Sequence, residues 1–314
     1  EFDFKQYKYE NILLTGNFKK NSFDGSVSVN DPNGQLQAEG FFRHQGQNSL
    51  FNFTADVKNL RLDSLHLTQK YEEPEISFAL NADFTGNNID NAEGIIRLDS
   101  FSFKTKPHQF FLDKLEINAS GHSEKRHLTI RSEQINGEVI GAYSFTTIVP
   151  SLLNTMKEYV PALINQLPKR GRTKENDFSL LLTVENTEAL SNTLKLPFTI
   201  MQQGRITGQY DNQHNKFNFD ASLPQFNIGK SMFEAGYLSC DNLYDQVNLE
   251  VKAINYNQNG QKNVVNLQAK AKENKVDTDI HWSNNRERMF RADLSASTLF
   301  TEEERENNKR PALR

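Results

Sequence analysis

Seven histidines and one cysteine are the residues best suited to metal or nucleophilic chemistry in this chain of 314 residues. The histidines are His44, His66, His108, His122, His127, His214 and His281. Only His122 and His127 are near neighbours, and no cysteine or carboxylate cluster accompanies them. A lone Cys240, in Tyr237-Leu-Ser-Cys240, makes no internal disulfide and has no basic neighbour to lower its pKa, so it reads as a strand residue. The chain has no His-Glu-x-x-His, no Gly-x-Ser-x-Gly and no phosphate-binding glycine loop. Its carboxylates fall mostly on the wet positions of strands, where solvation accounts for them. The residues therefore point away from an enzyme, a metal site and any cofactor.

A different pattern dominates. Phe217-Asn-Phe-Asp-Ala-Ser-Leu223 alternates apolar and polar residues, and Ile206-Thr-Gly-Gln-Tyr210 does the same before the turn at 211–215. A period of two means a strand with one wet and one dry face. This hairpin unit recurs along the chain. Asp31-Pro-Asn-Gly34 has the chemistry of a tight turn between strands at 23–29 and 36–42. Further alternating runs cover 50–57, 76–84, 96–103, 111–119, 178–184, 247–253, 265–271, 276–282 and 290–298. Leu60, Leu62, Leu65 and Leu67 read as a continuation after a break, and Phe233, Ala235 and Tyr237 as one dry row.

Two stretches change period. Between Thr147 and Leu167, apolar residues at Leu152, Met156, Val160, Leu163, Ile164 and Leu167 are three or four apart, which predicts an amphipathic helix. Pro150 suits a first helical turn, while Pro161 predicts two short helices meeting near Tyr159. Leu152, Met156, Val160 and Leu163 are expected to pack on the dry face. Pro168-Lys-Arg-Gly-Arg-Thr-Lys174 reads as a basic loop. A second short helix is expected over 187–195, stopped by Pro197.

The chain reads as mainly β, with roughly twenty strands in antiparallel meanders. Its stretches are a first β arm at 1–146, the amphipathic helix and basic loop at 147–176, a second β arm at 177–300, and a charged linker or cut end at 301–314. A net charge of −4 gives no basic stripe for nucleic acid. No run of about 18 apolar residues spans a bilayer as a helix. The chain opens with Glu1 and strand-like sequence and ends in a charged run, as an interior piece of a longer protein would.

Two short helices cannot cover so much one-sided sheet. The dry face can close on itself as a sandwich or barrel, face lipid in a membrane barrel, or line an open trough. The aromatic content disfavours the membrane barrel: there are 23 Phe but one Trp. A trough would be lined by Phe53, Phe78, Leu80, Phe84, Leu98, Ile117, Leu180, Leu182, Ile206, Phe217, Phe219, Leu249, Leu267 and Ile280. A secreted or cell-surface β-scaffold of adhesin type, with its dry face closed, is the alternative.

Three places carry a resemblance. Tyr7-Lys-Tyr-Glu-Asn-Ile12 with Gly16, Phe23-Asp-Gly25 and Asp31-Pro-Asn33 is similar to a repeated unit of the TamB proteins of Bacteroidota. Val57-Lys-Asn-Leu60 followed by Leu65, and the block from the Pro150 helix through Asn176-Asp-Phe178 to Ile280-His-Trp282-Ser-Asn-Asn285, also resemble them. TamB belongs with the AsmA-like bridge-type lipid transporters. The resemblance implies a long curled β-sheet, a groove or "taco", that crosses the periplasm and conducts phospholipids between inner and outer membranes in support of outer-membrane biogenesis. It also implies an inner-membrane anchor and an outer-membrane partner of the BamA type, both through parts outside this chain.

Overall fold

The computed structural model of the chain describes residues 2–46, 48–122, 124–164, 176–256, 260–284, 290–301 and 312–313. It is mainly β, with 66% strand in antiparallel pairing and three α-helices among the described residues. The chain divides into two compact units: residues 1–121, 127–138 and 186–196 form the first, and the rest form the second.

In the first unit, β1 (Phe2–Phe4) and β2 (Tyr7–Tyr9) make a small hairpin. Antiparallel strands follow: β3 (Ile12–Lys19), β4 (Ser22–Asp31), β5 (Gly34–Gln45), β6 (Asn48–Arg61), β7 (Glu75–Thr85), β8 (Glu93–Lys104), β9 (Gln109–Ser120) and β10 (Arg126–Ser132), each paired with the next. β11 (Ile135–Ala142) gives Ile135–Glu138 to this unit and its remainder to the second. The expected turn at Asp31–Gly34 joins β4 to β5, and Asp31 Oδ1 accepts from the Asn33 N–H at 2.9 Å.

The second unit contains α1 (Ile148–Met156), α2 (Pro161–Ile164) and β12 (Asp177–Val184). After α3 (Glu188–Leu194), which packs on β9 within the first unit, come β13 (Phe198–Ile200), β14 (Gly204–Asp211), β15 (Lys216–Ile228), β16 (Ser231–Asp241), β17 (Val247–Tyr256), β18 (Lys262–Lys272), β19 (Lys275–Asn284) and β20 (Arg291–Thr301). β21 (Ala312–Leu313) pairs briefly with β20. The helical stretch breaks between Met156 and Pro161, where proline offers no backbone donor. Residues 165–167 of the expected helix, the basic loop at 168–174 and most of the charged tail lie outside the described residues.

Among the described residues the pairing register shifts at three places, each a bulge marked by a residue with positive φ. Between Val57 and Leu60 on β6 the pairing skips one residue, with Asn59 at φ 50. The extra residue turns the strand, so Val57 and Leu60 both keep the dry side. Ser100 on β8 (φ 53) does the same for Leu98 and Phe101. On β16 the bulge residue is Ala235 (φ 49), and Tyr237 stands opposite Ser222 and Lys252 among polar partners. The expected dry row of Phe233, Ala235 and Tyr237 is thereby corrected. The four-leucine continuation is corrected as well: β6 ends at Arg61, and Leu62, Leu65 and Leu67 lie in the irregular segment before β7, with Leu65 buried.

Candidate functional site

Register turns the alternating pattern into continuous rows. In the second unit, Leu182, Ile206, Ala221, Leu238, Val251, Leu267, Ile280 and Leu294 stand opposite one another across eight strands. The next row on that face is Leu180, Gly208, Phe219, Cys240, Leu249, Ala269, Thr278 and Ala296. One residue along each strand, the other face carries Leu181, Thr207, Asp220, Ser239, Glu250, Gln268, Asp279 and Ser295. Seven of these eight are polar, so the sheet has chemically distinct faces.

The first unit repeats the arrangement. Phe18, Phe23, Phe42, Phe51 and Phe84 form one row, with the Phe18–Phe23, Phe42–Phe51 and Phe51–Phe84 ring centroids 4.6, 5.0 and 4.7 Å apart. Leu14, Val27, Ala38, Ala55, Leu80, Leu98 and Leu115 form another. Between them runs Gly16, Gly25, Gly40, Phe53, Ala82, Ile96, Ile117 and Ile130. Phe78 faces Val57 and belongs to the same side. The opposite face holds Thr15, Ser26, Glu39, Thr54, Asn81, Arg97, Glu116 and Arg131. There the Arg97 guanidinium, 3.0 Å from Glu116, lowers the Glu116 pKa.

All fourteen residues expected to line a trough thus fall on the apolar face of their unit. Thirteen are only half-buried; Phe217 is buried. An ordinary packed core leaves such side chains almost no exposure. Here Leu238 and Leu294, in the middle and at the end of one row, keep 39% and 63% of their surface.

One end of the apolar face in the second unit is covered. Buried Phe178, Tyr210 and Phe217 line one cavity with Tyr159 of the helical stretch there, and Val247, Ala271, Val160 and Ala162 are buried too. Asparagines fasten the helices to the strand ends. Asn274, in the turn from β18 to β19, donates its N–H to Tyr159 O at 2.8 Å, and its Oδ1 accepts from the Ala162 N–H at 2.7 Å. Asn242 Nδ2, after β16, donates to the Tyr159 hydroxyl at 3.0 Å, and Asn215, before β15, donates to Glu158. Asn176, wholly buried before β12, donates to Ser151 Oγ at 2.9 Å and Thr147 Oγ1 at 3.2 Å, and accepts from the Ser144 N–H at 2.9 Å. Tyr210 OH and Thr155 Oγ1 are 3.1 Å apart, and burial pushes the Tyr210 pKa up.

The four helical residues expected on the dry face are buried unevenly. Of Leu152, Met156, Val160 and Leu163, only Val160 is buried; the other three are half-buried. The side of α1 turned inward is polar, Ser151 and Thr155, because Asn176 and Tyr210 supply the bonds that make their burial tolerable. Hydrophobic spacing alone gives no sign of this clasp. The signal that was present is an asparagine at each of several strand ends.

A cavity of about 1010 Å³ opens beside the clasp, with Tyr159, Phe178, Tyr210 and Phe217 in its wall and Glu158, Asp211 and Asp245 at its polar side. His214 Nδ1 lies 2.5 Å from Asp211 there. Burial opposes ionisation of Asp211, but the backbone N–H and ring of His214 and the N–H of Gln213 outweigh it and lower its pKa. That is turn chemistry. Among the described residues no group of three or more His, Cys, Asp or Glu is placed to hold a metal, and no helix is long and apolar enough to cross a membrane. Cys240 is half-buried on the apolar face; burial, then the charge of Asp241, raises its pKa.

No family model, no curated protein and no solved structure matches the chain.

Proposed function

We propose that this chain is a segment of a hydrophobic groove that conducts phospholipids across the periplasm, in the manner of TamB proteins. The observation that carries the reading is the eight-residue row from Leu182 to Leu294: continuous, apolar and half-exposed. Soluble proteins rarely leave a contiguous apolar face of this kind open unless it meets a ligand or partner. Acyl chains suit it, because they ask for area and no hydrogen bonds.

The role of the lining residues is passive. An acyl chain moving from Leu182 toward Leu294 exchanges one apolar neighbour for the next. Leaving it in water instead would cost about 0.8 kcal/mol per CH₂. Head groups stay at the wet margin of the sheet. The clasped helices close the apolar face at the Phe217 end, so chains would enter or leave on the other side of Tyr210. Envelope location, an inner-membrane anchor and an outer-membrane partner of the BamA type belong to the same proposal and rest on the sequence resemblance.

Native mass spectrometry and lipid extraction of the purified protein test it. Co-purified phospholipid is expected. A lipid-free protein that takes up no phospholipid from detergent would favour the closed scaffold instead.

A further inference from the structure

We infer that Gly208 sets the clearance of the apolar face over β15, so that an acyl chain passes Phe219 because position 208 carries no side chain. The inference rests on the groove proposed above and names the position that controls its depth. On the apolar face β15 presents Phe219, Ala221 and Leu223 in turn. Ala221, the small one, stands between Ile206 of β14 and Leu238 of β16. Phe219 stands between Gly208 and Cys240. Leu223 stands opposite Gly236 of β16, and its Cδ2 lies 2.5 Å from where a Cβ on Gly204 of β14 would be. Large and small therefore alternate both along β15 and across it.

Paired residues on neighbouring strands touch through their side chains. A large side chain beside a small one can lean over it, whereas two large ones must both stand up. Phe219 leans. A Cβ on Gly208 would come within 2.4 Å of Phe219 Cδ1 and 2.6 Å of its Cε1, too close for any side chain at 208 to share the space. Gly204, Gly208 and Gly236 are all buried, although the residues around them on this face are not. Their large neighbours cover them, and the floor is level as a result. The pairing of large with small stops at Tyr210 opposite Phe217, where two large rings meet and both are buried at the clasped end.

The backbone at Gly208 is not in the left-handed region, so alanine there asks only that the ring move. The small neighbour left to Phe219 on this face is Cys240, half-buried on the opposite side of β15. The displaced ring covers that thiol and rises into the path of the acyl chains.

Two measurements on the 314-residue chain test this. In lipid-free protein at one fixed pH, Cys240 should alkylate several-fold more slowly in Gly208→Ala than in the parent, and adding Phe219→Ala should bring the rate back. In protein purified with its lipid, the phospholipid load should fall to a small fraction in Gly208→Ala and return in the double variant. An unchanged Cys240 rate overturns the inference. So does a loss of phospholipid that Phe219→Ala does not reverse, because misfolding and not the ring is then the cause. A parent that carries phospholipid, with an equal load in Gly208→Ala, overturns this inference alone. A parent that carries none overturns the groove proposal and this inference with it.

Discussion

Phe217 and Phe219 stand two residues apart on β15, on one face, with ring centroids 6.2 Å apart, yet only the first is buried. The difference comes from their neighbours. Phe217 lies at the clasped end, where its N–H donates to Asn242 Oδ1 at 2.8 Å and Asn242 holds Tyr159. Phe219 lies one step along, beyond the helices, with its ring over Gly208. Phe217→Asp should therefore strand a charge under the clasp and cost more than about 4 kcal/mol. Phe219→Asp leaves its carboxylate within reach of water and should cost about 1–2 kcal/mol. Chemical denaturation of the two variants checks the contrast, and equal losses would mean that the face beyond the clasp is closed.

The Asn176 side chain bonds Ser144, Thr147 and Ser151 from a fully buried site. Asn176→Ala leaves Ser151, Thr147 and the Ser144 N–H without it, at a cost of about 2–3 kcal/mol. Hydrogen exchange should report the loss first in α1, with the rows of the first unit unaffected.

Acid should release the β1–β2 hairpin. Burial opposes ionisation of Asp31, but the Tyr7 hydroxyl and the N–H groups of Asn33 and Glu10 outweigh it, so its pKa in the folded protein is lowered. The stability contributed is complete above the ordinary aspartate value of about 3.9 and is lost as pH falls through the lower folded value. Tyr7 resonances followed by NMR should shift in that acid range. In Asp31→Asn the hairpin should be weaker at neutral pH and should lose this pH dependence.

Cys240 is a built-in reporter of the apolar face. Its raised pKa predicts slow alkylation near neutral pH, rising as the solution becomes more basic. Phospholipid on the Phe219–Cys240–Leu249 row should slow it further. A rate indifferent to lipid would place the acyl chains elsewhere.

Much of this was legible in the sequence. Alternation of period two located the strands, and the pairing put Phe53, Leu80, Ile117, Leu182, Leu267 and Ile280 on the face their spacing implied. Pro161 marked the break between α1 and α2. The bulges were hidden: Ser100 and Ala235 adopt positive φ in response to pairing rather than by intrinsic preference, and Asn59, though a residue type that tolerates positive φ, sits in an alternating run like many asparagines that do not. The clasp was hidden too. Ser151 and Thr155 look like solvent-facing helix residues until Asn176 and Tyr210, far along the chain, supply their bonds. Hydrophobic periodicity carries no information about polar partners brought together only by folding.

Photo-crosslinking at Leu267 and at Gln268 tests the central claim most directly. These neighbours on β18 stand on opposite faces, Leu267 between Val251 and Ile280, Gln268 between Glu250 and Asp279. A photoreactive side chain at Leu267 should capture phospholipid in cells, and the same group at Gln268 should not. Equal capture at both positions, or none at Leu267, would contradict the account.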